Sequence, residues 1–216
     1  NTKSQVLPYA CDNLVYSYAN DKQEPYRYLY MGTEGTGVNR FDFKTNTFKK
    51  IFPKKSDVVE SGNRIITSII DDGDGYLWFG SYQGLIKFNK ITGTFRIYRN
   101  IPSNQSTIGP EMVTYLYEDS KKNLWVGTNF GGLSLMDKQN ETFRNFRFDI
   151  KNKQSLSGNF VKCIYEDSKK NLWIATTNGL NKLLDKNGKF KNYFIENGLP
   201  NNVVYGILED YKGFLW

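Results

Sequence analysis

Apolar residues in this chain come in short runs separated by polar, glycine-bearing turns, and the runs recur in groups of four. A run that is apolar on both faces opens each group, at 14–19, 65–70, 112–117, 160–165 and 203–208. A tight polar turn follows, then a short strand such as Leu124-Trp125-Val126-Gly127-Thr128. A glycine turn leads into a third strand at 37–43, 84–89, 132–137 and 179–185, and a fourth with an aromatic pattern lies at 47–52, 94–98, 142–148 and 189–195. These are strand lengths bounded by turn residues, and no window carries the i, i+3, i+4 spacing of an amphipathic helix. A half-buried surface strand alternates polar with apolar positions. Ile65-Ile66 and Ile69-Ile70 do not alternate, which predicts that the first strand of each group is covered on both faces.

The groups are copies of one another. YEDSKKNLW occurs at 117–125 and again at 165–173, DDGDGYLW at 71–78 and EDYKGFLW at 209–216 match it, and a degenerate copy ends at Tyr30. The anchor aromatics Tyr30, Trp78, Trp125, Trp173 and Trp216 are spaced by 48, 47, 48 and 43 residues. Four short strands in one repeat of that length is the arithmetic of a β-propeller blade, so the predicted fold is all-β, with four-stranded antiparallel blades. The expected division is a lead-in at 1–12, blades at 13–62, 63–110, 111–158 and 159–201, and the opening of a fifth at 202–216. An arc of about four and a half blades would expose apolar faces and unpaired edges, from which self-association or disorder at the ends is expected. The Trp of each second strand is expected to fill the gap between blades. Asp119 is expected to bond the backbone ahead of it. Gly75 and Gly213 stand where Lys122 and Lys170 stand in the doubled phrase, which predicts a positive φ for both lysines.

Composition narrows the function classes. The chain has 29 basic and 22 acidic residues, a net charge of +7, and 16% aromatic residues, which favour strands. The lysines are scattered through turns and form no stripe, so the charge reads as a solvated surface and not as a nucleic-acid face. The chain has no histidine, which removes Ser-His-Asp and Cys-His nucleophile systems and every His-based metal site. Cys11 and Cys163 form no CxxC pair and read as buried thiols, with a disulfide as the alternative. No apolar stretch reaches the length of a membrane helix, and the chain opens on no leader-like segment. Asp72-Gly73-Asp74-Gly75 lacks an oxygen ligand at the next ligating position of a calcium loop, and Gly32-Thr33-Glu34-Gly35-Thr36-Gly37 lacks the Lys-Ser/Thr ending of a phosphate loop; both read as turns. No cofactor is expected.

The segments 113–133 (VTYLYEDSKKNLWVGTNFGGL), 161–180 (VKCIYEDSKKNLWIATTNGL) and 66–85 (ITSIIDDGDGYLWFGSYQGL) resemble the two-component regulator propeller repeat. The likeness covers the chain from Asn13 onward. It implies the periplasmic sensor of a large hybrid two-component histidine kinase of the kind found in Bacteroides-like gut bacteria, which detects oligosaccharides released from complex glycans. It also implies an inner-membrane anchor and kinase domains that this chain does not contain, and partners in further blades of its own propeller or a second copy. The basic charge makes an acidic glycan the first ligand class to consider.

Ligands of propellers generally meet the face built from loops between second and third strands and from the connections between blades. The first set places Glu34, Tyr82, Gln83, Asn129, Phe130 and Asn178 on that face, and the second places Arg64, Glu111, Asn159 and Asn202 there. Amide, carboxylate and guanidinium groups can bond sugar hydroxyls, and an aromatic ring can cover a pyranose face. Ordinary exposed loop residues are the competing reading for each. Two other functions stay open. A propeller glycosidase or polysaccharide lyase would need two converging carboxyls, for which Glu34 and Glu111 are the candidates; a protein-binding scaffold would need neither.

Overall fold

The computed structural model describes residues 15–24, 26–51, 65–110 and 112–216. Sixteen strands form four separate antiparallel sheets, each a four-stranded meander in chain order. Blade 1 comprises β1 (Val15–Asn20), β2 (Tyr28–Thr33), β3 (Gly37–Asp42) and β4 (Thr47–Lys50). Blade 2 comprises β5 (Ile66–Asp71), β6 (Tyr76–Ser81), β7 (Gly84–Asn89) and β8 (Phe95–Tyr98). Blade 3 comprises β9 (Val113–Glu118), β10 (Leu124–Thr128), β11 (Leu133–Asp137) and β12 (Thr142–Phe146). Blade 4 comprises β13 (Val161–Glu166), β14 (Leu172–Thr176), β15 (Gly179–Leu183) and β16 (Phe190–Tyr193). The first strands of successive blades lie beside one another, β1 by β5, β5 by β9 and β9 by β13, so the blades fan out from a shared inner edge. The only helical element among the described residues is a single 3-10 turn, Ile195–Asn197.

The strand bounds differ from the sequence pattern in two systematic ways. Each first strand runs one residue further, to Asn20 in blade 1 and to the first acid of the phrase in the others, because that residue pairs with the second strand: Asn20 with Leu29, Asp71 with Leu77, Glu118 with Leu124 and Glu166 with Leu172. The fourth strand ends at Tyr98 in blade 2 as expected, and stops earlier in the other three, where the chain turns off into the connection to the next segment; Phe148, for instance, gives its N–H to the Asn159 side chain at 2.8 Å. Residues 203–208 form no strand. What forms there is the hairpin of the phrase, with Leu208 and Trp216 exchanging backbone hydrogen bonds of 2.9 and 2.7 Å.

Apolar cores lie in the seams between blades. Tyr30 of blade 1 packs with Ile66, Leu77, Phe79 and Ile86 of blade 2. Trp78 of blade 2 packs with Val113, Leu116, Leu124 and Met136 of blade 3, and is 1% exposed. Trp125 does the same with Ile164, Leu172, Ile174 and Phe190 of blade 4. Each wedge therefore seats in the blade that follows it, as the repeat predicts. Burying about 200 Å² of indole stabilises a seam by roughly 5 kcal/mol as an upper figure.

The residue two places after each wedge must be small. A Cβ on Gly80 would stand 2.7 Å from Val113 Cγ1 of the next blade, and one on Gly127 would stand 2.6 Å from Val161 Cγ1. The doubled phrase also shows its backbone requirement. Lys122 and Lys170 adopt φ 66° and 66°, Gly75 and Gly213 φ 96° and 81°, at one shared turn position. The strain predicted for the two lysines is present.

Candidate functional site

The doubled phrase is consumed by the fold. In every copy the second acid accepts the anchor aromatic's polar hydrogen: Asp72 from the Trp78 indole at 3.0 Å, Asp119 from Trp125 at 2.9 Å, Asp167 from Trp173 at 2.8 Å and Asp210 from Trp216 at 3.1 Å. Asp21 accepts the Tyr30 hydroxyl at 2.7 Å, which aligns the degenerate first copy with the rest. The other oxygen of each carboxylate accepts turn N–H groups, as Asp119 Oδ1 does from Lys121 and Asn123, both at 2.9 Å. Burial pushes Asp21 and Asp167 toward the neutral form, but these donors outweigh it and hold both below the usual carboxylate range.

The first acid of the phrase reaches back across the seam. Glu166 accepts the Ser120 N–H and hydroxyl, both at 2.9 Å, and Glu209 accepts the same groups of Ser168 at 2.8 and 2.6 Å. Asp71 accepts the Lys22 N–H at 3.1 Å. These carboxylates are committed to holding blades together. Cys163 is buried against Tyr115, and burial pushes its thiol pKa up. Cys11 lies outside the described residues.

The loops between second and third strands are tied internally, which fixes what they present. Thr33, Ser81, Thr128 and Thr176 each donate a buried hydroxyl to the glycine carbonyl that closes the loop, at 3.0, 2.9, 3.1 and 2.9 Å. Glu34 stands exposed and forms a single bridge to Ile65. It lies near the Tyr16 hydroxyl, as does Tyr82; burial together with Glu34 raises the Tyr16 pKa. Glu34, Tyr16 and Tyr82 thus form one group across blades 1 and 2. Phe130, 63% exposed, lies 6.3 Å from the Phe160 ring. The Lys162 ammonium sits 3.8 Å over Phe160 and 5.3 Å from Tyr205. That makes a second aromatic group across blades 3 and 4.

The predicted amides divide into two kinds. Asn159 and Asn202 use their side-chain carbonyls to cap the connections, accepting from Phe148 at 2.8 Å and Ile195 at 2.9 Å, and Asn178 donates to the Ser157 carbonyl at 2.9 Å. Gln83 Oε1 and Asn129 Oδ1, on neighbouring loops, are enclosed without a donor. Arg64 and Glu111 lie outside the described residues, so the carboxyl pair considered for a glycosidase is not formed among them.

The sequence reading missed Tyr16, Phe160, Lys162 and Tyr205. A column comparison carries the signal: Tyr16, Thr67, Thr114 and Lys162 share one place on the first strands. Thr67 and Thr114 donate to the Val113 and Val161 carbonyls at 2.6 and 2.7 Å, and a lysine stands where that hydroxyl bond is otherwise made. Chemically, the loop face offers rings flanked by a carboxylate and an ammonium, a surface suited to stacking on and hydrogen-bonding a hydroxylated ring.

Blades of this geometry with an Asp–aromatic clamp in each define a repeat propeller, and comparison with known proteins places the repeat. The two component regulator propeller family matches the chain at residues 60–83, 107–130, 155–178 and 198–216. The chain thus carries four two-component regulator propeller repeats. Its fold is similar to the extracellular domain assigned to the hybrid two component system BT3049 of B. thetaiotaomicron, at 20% identity and a TM-score of 0.58, over 94% of this chain and 38% of that one. It is also similar to the extracellular domain assigned to the one component system BT4673 of the same organism, at 19% identity and a TM-score of 0.54, over 94% of this chain and 33% of that one. Virginiamycin B lyase from Staphylococcus aureus shares the fold at 13% identity and a TM-score of 0.67, over 94% of this chain and 62% of the enzyme. At these identities the likeness is one of fold, and the chain spans about a third to two fifths of the two extracellular domains. No curated protein matches the chain. Among the described residues no helix is long and apolar enough to cross a membrane.

Proposed function

We propose that this chain is part of the periplasmic sensor of a hybrid two-component histidine kinase, and that it binds an oligosaccharide derived from a complex glycan without turning it over. The observation that carries the reading is the match of four phased copies to two-component regulator propeller repeats. The loop face supports a sugar ligand: Tyr82 and Phe130 are exposed rings, Glu34 and Lys162 flank them, and Gln83 and Asn129 hold acceptor oxygens without donors. Binding without turnover is supported by where the acids of the repeats are spent, in turns and seams, and by the lack of histidine. Signalling in this reading belongs to parts of a longer protein, and the blades supply recognition.

The test is titration of the 216-residue chain with a panel of defined oligosaccharides, followed by calorimetry and by product analysis. Saturable binding of one class, weakened at least tenfold by Phe130→Ala or Tyr82→Ala and without new reducing ends, is the expected result. Release of shorter sugars would replace the sensor reading with the enzyme. A chain that binds none of the panel but captures a protein partner would replace it with the scaffold.

A further inference from the structure

A side-by-side comparison of the blades exposes a charge that blade 2 neutralises and blade 1 does not. In each blade the third and fourth strands place residues directly opposite one another beside the anchor aromatic. Blade 2 has Lys87 opposite Arg96 there, and blade 1 has Arg40 opposite Lys49. Like charges facing each other across a sheet repel. In blade 2 the repulsion is relieved by Glu141, which arrives from the turn between β11 and β12 of blade 3. Its carboxylate lies 2.5 Å from Arg96, 3.8 Å from Lys87 and 2.8 Å from the Tyr98 hydroxyl. Glu141 occupies φ 55°, a left-handed conformation that disfavours Glu, and its three partners offset that strain.

The same turn in blade 2 brings Gly93 to the place of Glu141. Asp137 and Asn89 open the two turns identically, each accepting two N–H groups, and the left-handed residue comes four places later in both. Gly93 has φ 73°, and a Cβ built on it meets nothing within 4 Å. Facing it is a cleft of about 640 Å³ between blades 1 and 2. Arg40, Lys49, Lys50 and Lys90 line it against two carboxylates, Asp21 and Glu24. Both acids are already paired, Asp21 with Tyr30 and with Lys90 itself, which also bonds Asp71, and Glu24 with Arg27, so the cations left to a ligand are Arg40, Lys49 and Lys50. Arg40 stacks on Tyr28 at 4.1 Å and, among the described residues, makes no ion pair and has its Nε enclosed without an acceptor. Ile91 and Thr92 supply an apolar edge and a hydroxyl at the rim.

We infer that this cleft binds a carboxylate-bearing sugar, a hexuronate unit, whose carboxylate sits between Arg40 and Lys49 as Glu141 sits between Arg96 and Lys87. The chemical group is taken from the chain itself, because the corresponding pair of cations in blade 2 is answered by a carboxylate. The inference rests on the oligosaccharide-sensor reading for the sugar part, and it places an acid-recognising subsite away from the loop face.

The experiment is calorimetric or ligand-observed NMR titration of the 216-residue chain with glucuronate, and with glucose as the uncharged twin, at low and high salt. Glucuronate should bind in the millimolar range, weaken as salt rises, and lose at least tenfold in affinity on Arg40→Gln; glucose should not bind the cleft. Gly93→Glu supplies an internal carboxylate and should block glucuronate while leaving the melting temperature close to that of the parent. Should that variant fail to fold, Arg40→Gln together with Lys49→Gln carries the test. Glucuronate binding unchanged by these variants, or absent at 20 mM, overturns the cleft. Acetate or sulfate competing as well as glucuronate overturns the sugar part. A neutral oligosaccharide bound equally by parent and Gly93→Glu, with glucuronate bound by neither, overturns the acidic subsite while leaving the sensor reading intact.

Discussion

The seam geometry makes its sharpest prediction at Gly80. A methyl group there would sit 2.7 Å from Val113 Cγ1, 3.0 Å from Thr67 Oγ1 and 3.3 Å from Val113 Cβ. Carbon pairs normally rest at about 3.5–4.0 Å, so the overlap is about 1 Å. Neither neighbour can step aside: Val113 is fully buried in the core around Trp78, and Thr67 is bonded to the Val113 carbonyl at 2.6 Å. Overpacking of this kind costs roughly 1–3 kcal/mol. The loss of chain entropy in the unfolded state returns about 0.4–1 kcal/mol of that, leaving a net loss of about 1–2 kcal/mol. For a chain of this length each kcal/mol moves the melting temperature by about 2–4 °C, so Gly80→Ala should melt about 2–8 °C lower. Val113→Ala alone should cost about 2 kcal/mol through lost burial and a partly collapsed cavity. Because it also removes the methyl that clashes, the double variant should be at least about 1 kcal/mol more stable than the sum of the singles predicts. Thermal unfolding of the four proteins followed by circular dichroism measures this. A Gly80→Ala melt within 1 °C of the parent, or strict additivity, would refute the seam argument.

Three further outcomes follow from the phrase. Asp119→Ala strands the buried Trp125 indole and two turn N–H groups, and should lower stability by about 3 kcal/mol, read as a drop of about 6–12 °C. Lys170→Gly should raise stability by up to ~1 kcal/mol by relieving a positive φ, whereas Lys122→Gly should gain nothing, since Lys122 Nζ also bonds the Asp72 carbonyl at 2.8 Å; denaturant midpoints compare them. Asp21, Asp167, Glu209 and Asp210 all have pKa values lowered by folding, so their contribution is fully present above the unfolded carboxylate range and is lost as pH falls through the lower folded values. The melting temperature should therefore hold steady from pH 7 to about 5 and fall below about pH 4; a decline beginning near pH 6 would contradict the clamp assignment.

The period of the wedge made the blade and the seam legible, because apolar spacing records what is buried. Lys122 and Lys170 were legible for a different reason: their repeats carry glycine at the same place, and comparison of copies exposes a backbone requirement. Less could be read where a side chain's polar partner lies off the apolar pattern, whether in the same blade or in another. Nothing local to Asp72 or Asp119 announces that an indole six residues on will be its donor, and nothing local to Glu166 announces Ser120, 46 residues earlier. The candidate face shows the same divide. Asn159 and Asn202 read as polar loop residues suited to a ligand, yet their carbonyls cap the chain's own connections. Lys162 and Arg40 sit inside strands, where a polar residue in a repeat is easily taken for the solvent side.

The forward-pointing aromatic and the backward-reaching carboxylate meet at the same seam. Trp125 is seated in blade 4, and Glu166 of blade 4 holds the turn that carries Ser120 in blade 3. Trp173 faces the fifth copy, whose Glu209 returns to Ser168. The smallest cooperative unit of this molecule is consequently the junction and not the blade: one blade alone owns halves of two junctions and the whole of none. Unfolding should then travel along the arc as a succession of paired openings, with each junction's survival set by its immediate neighbour.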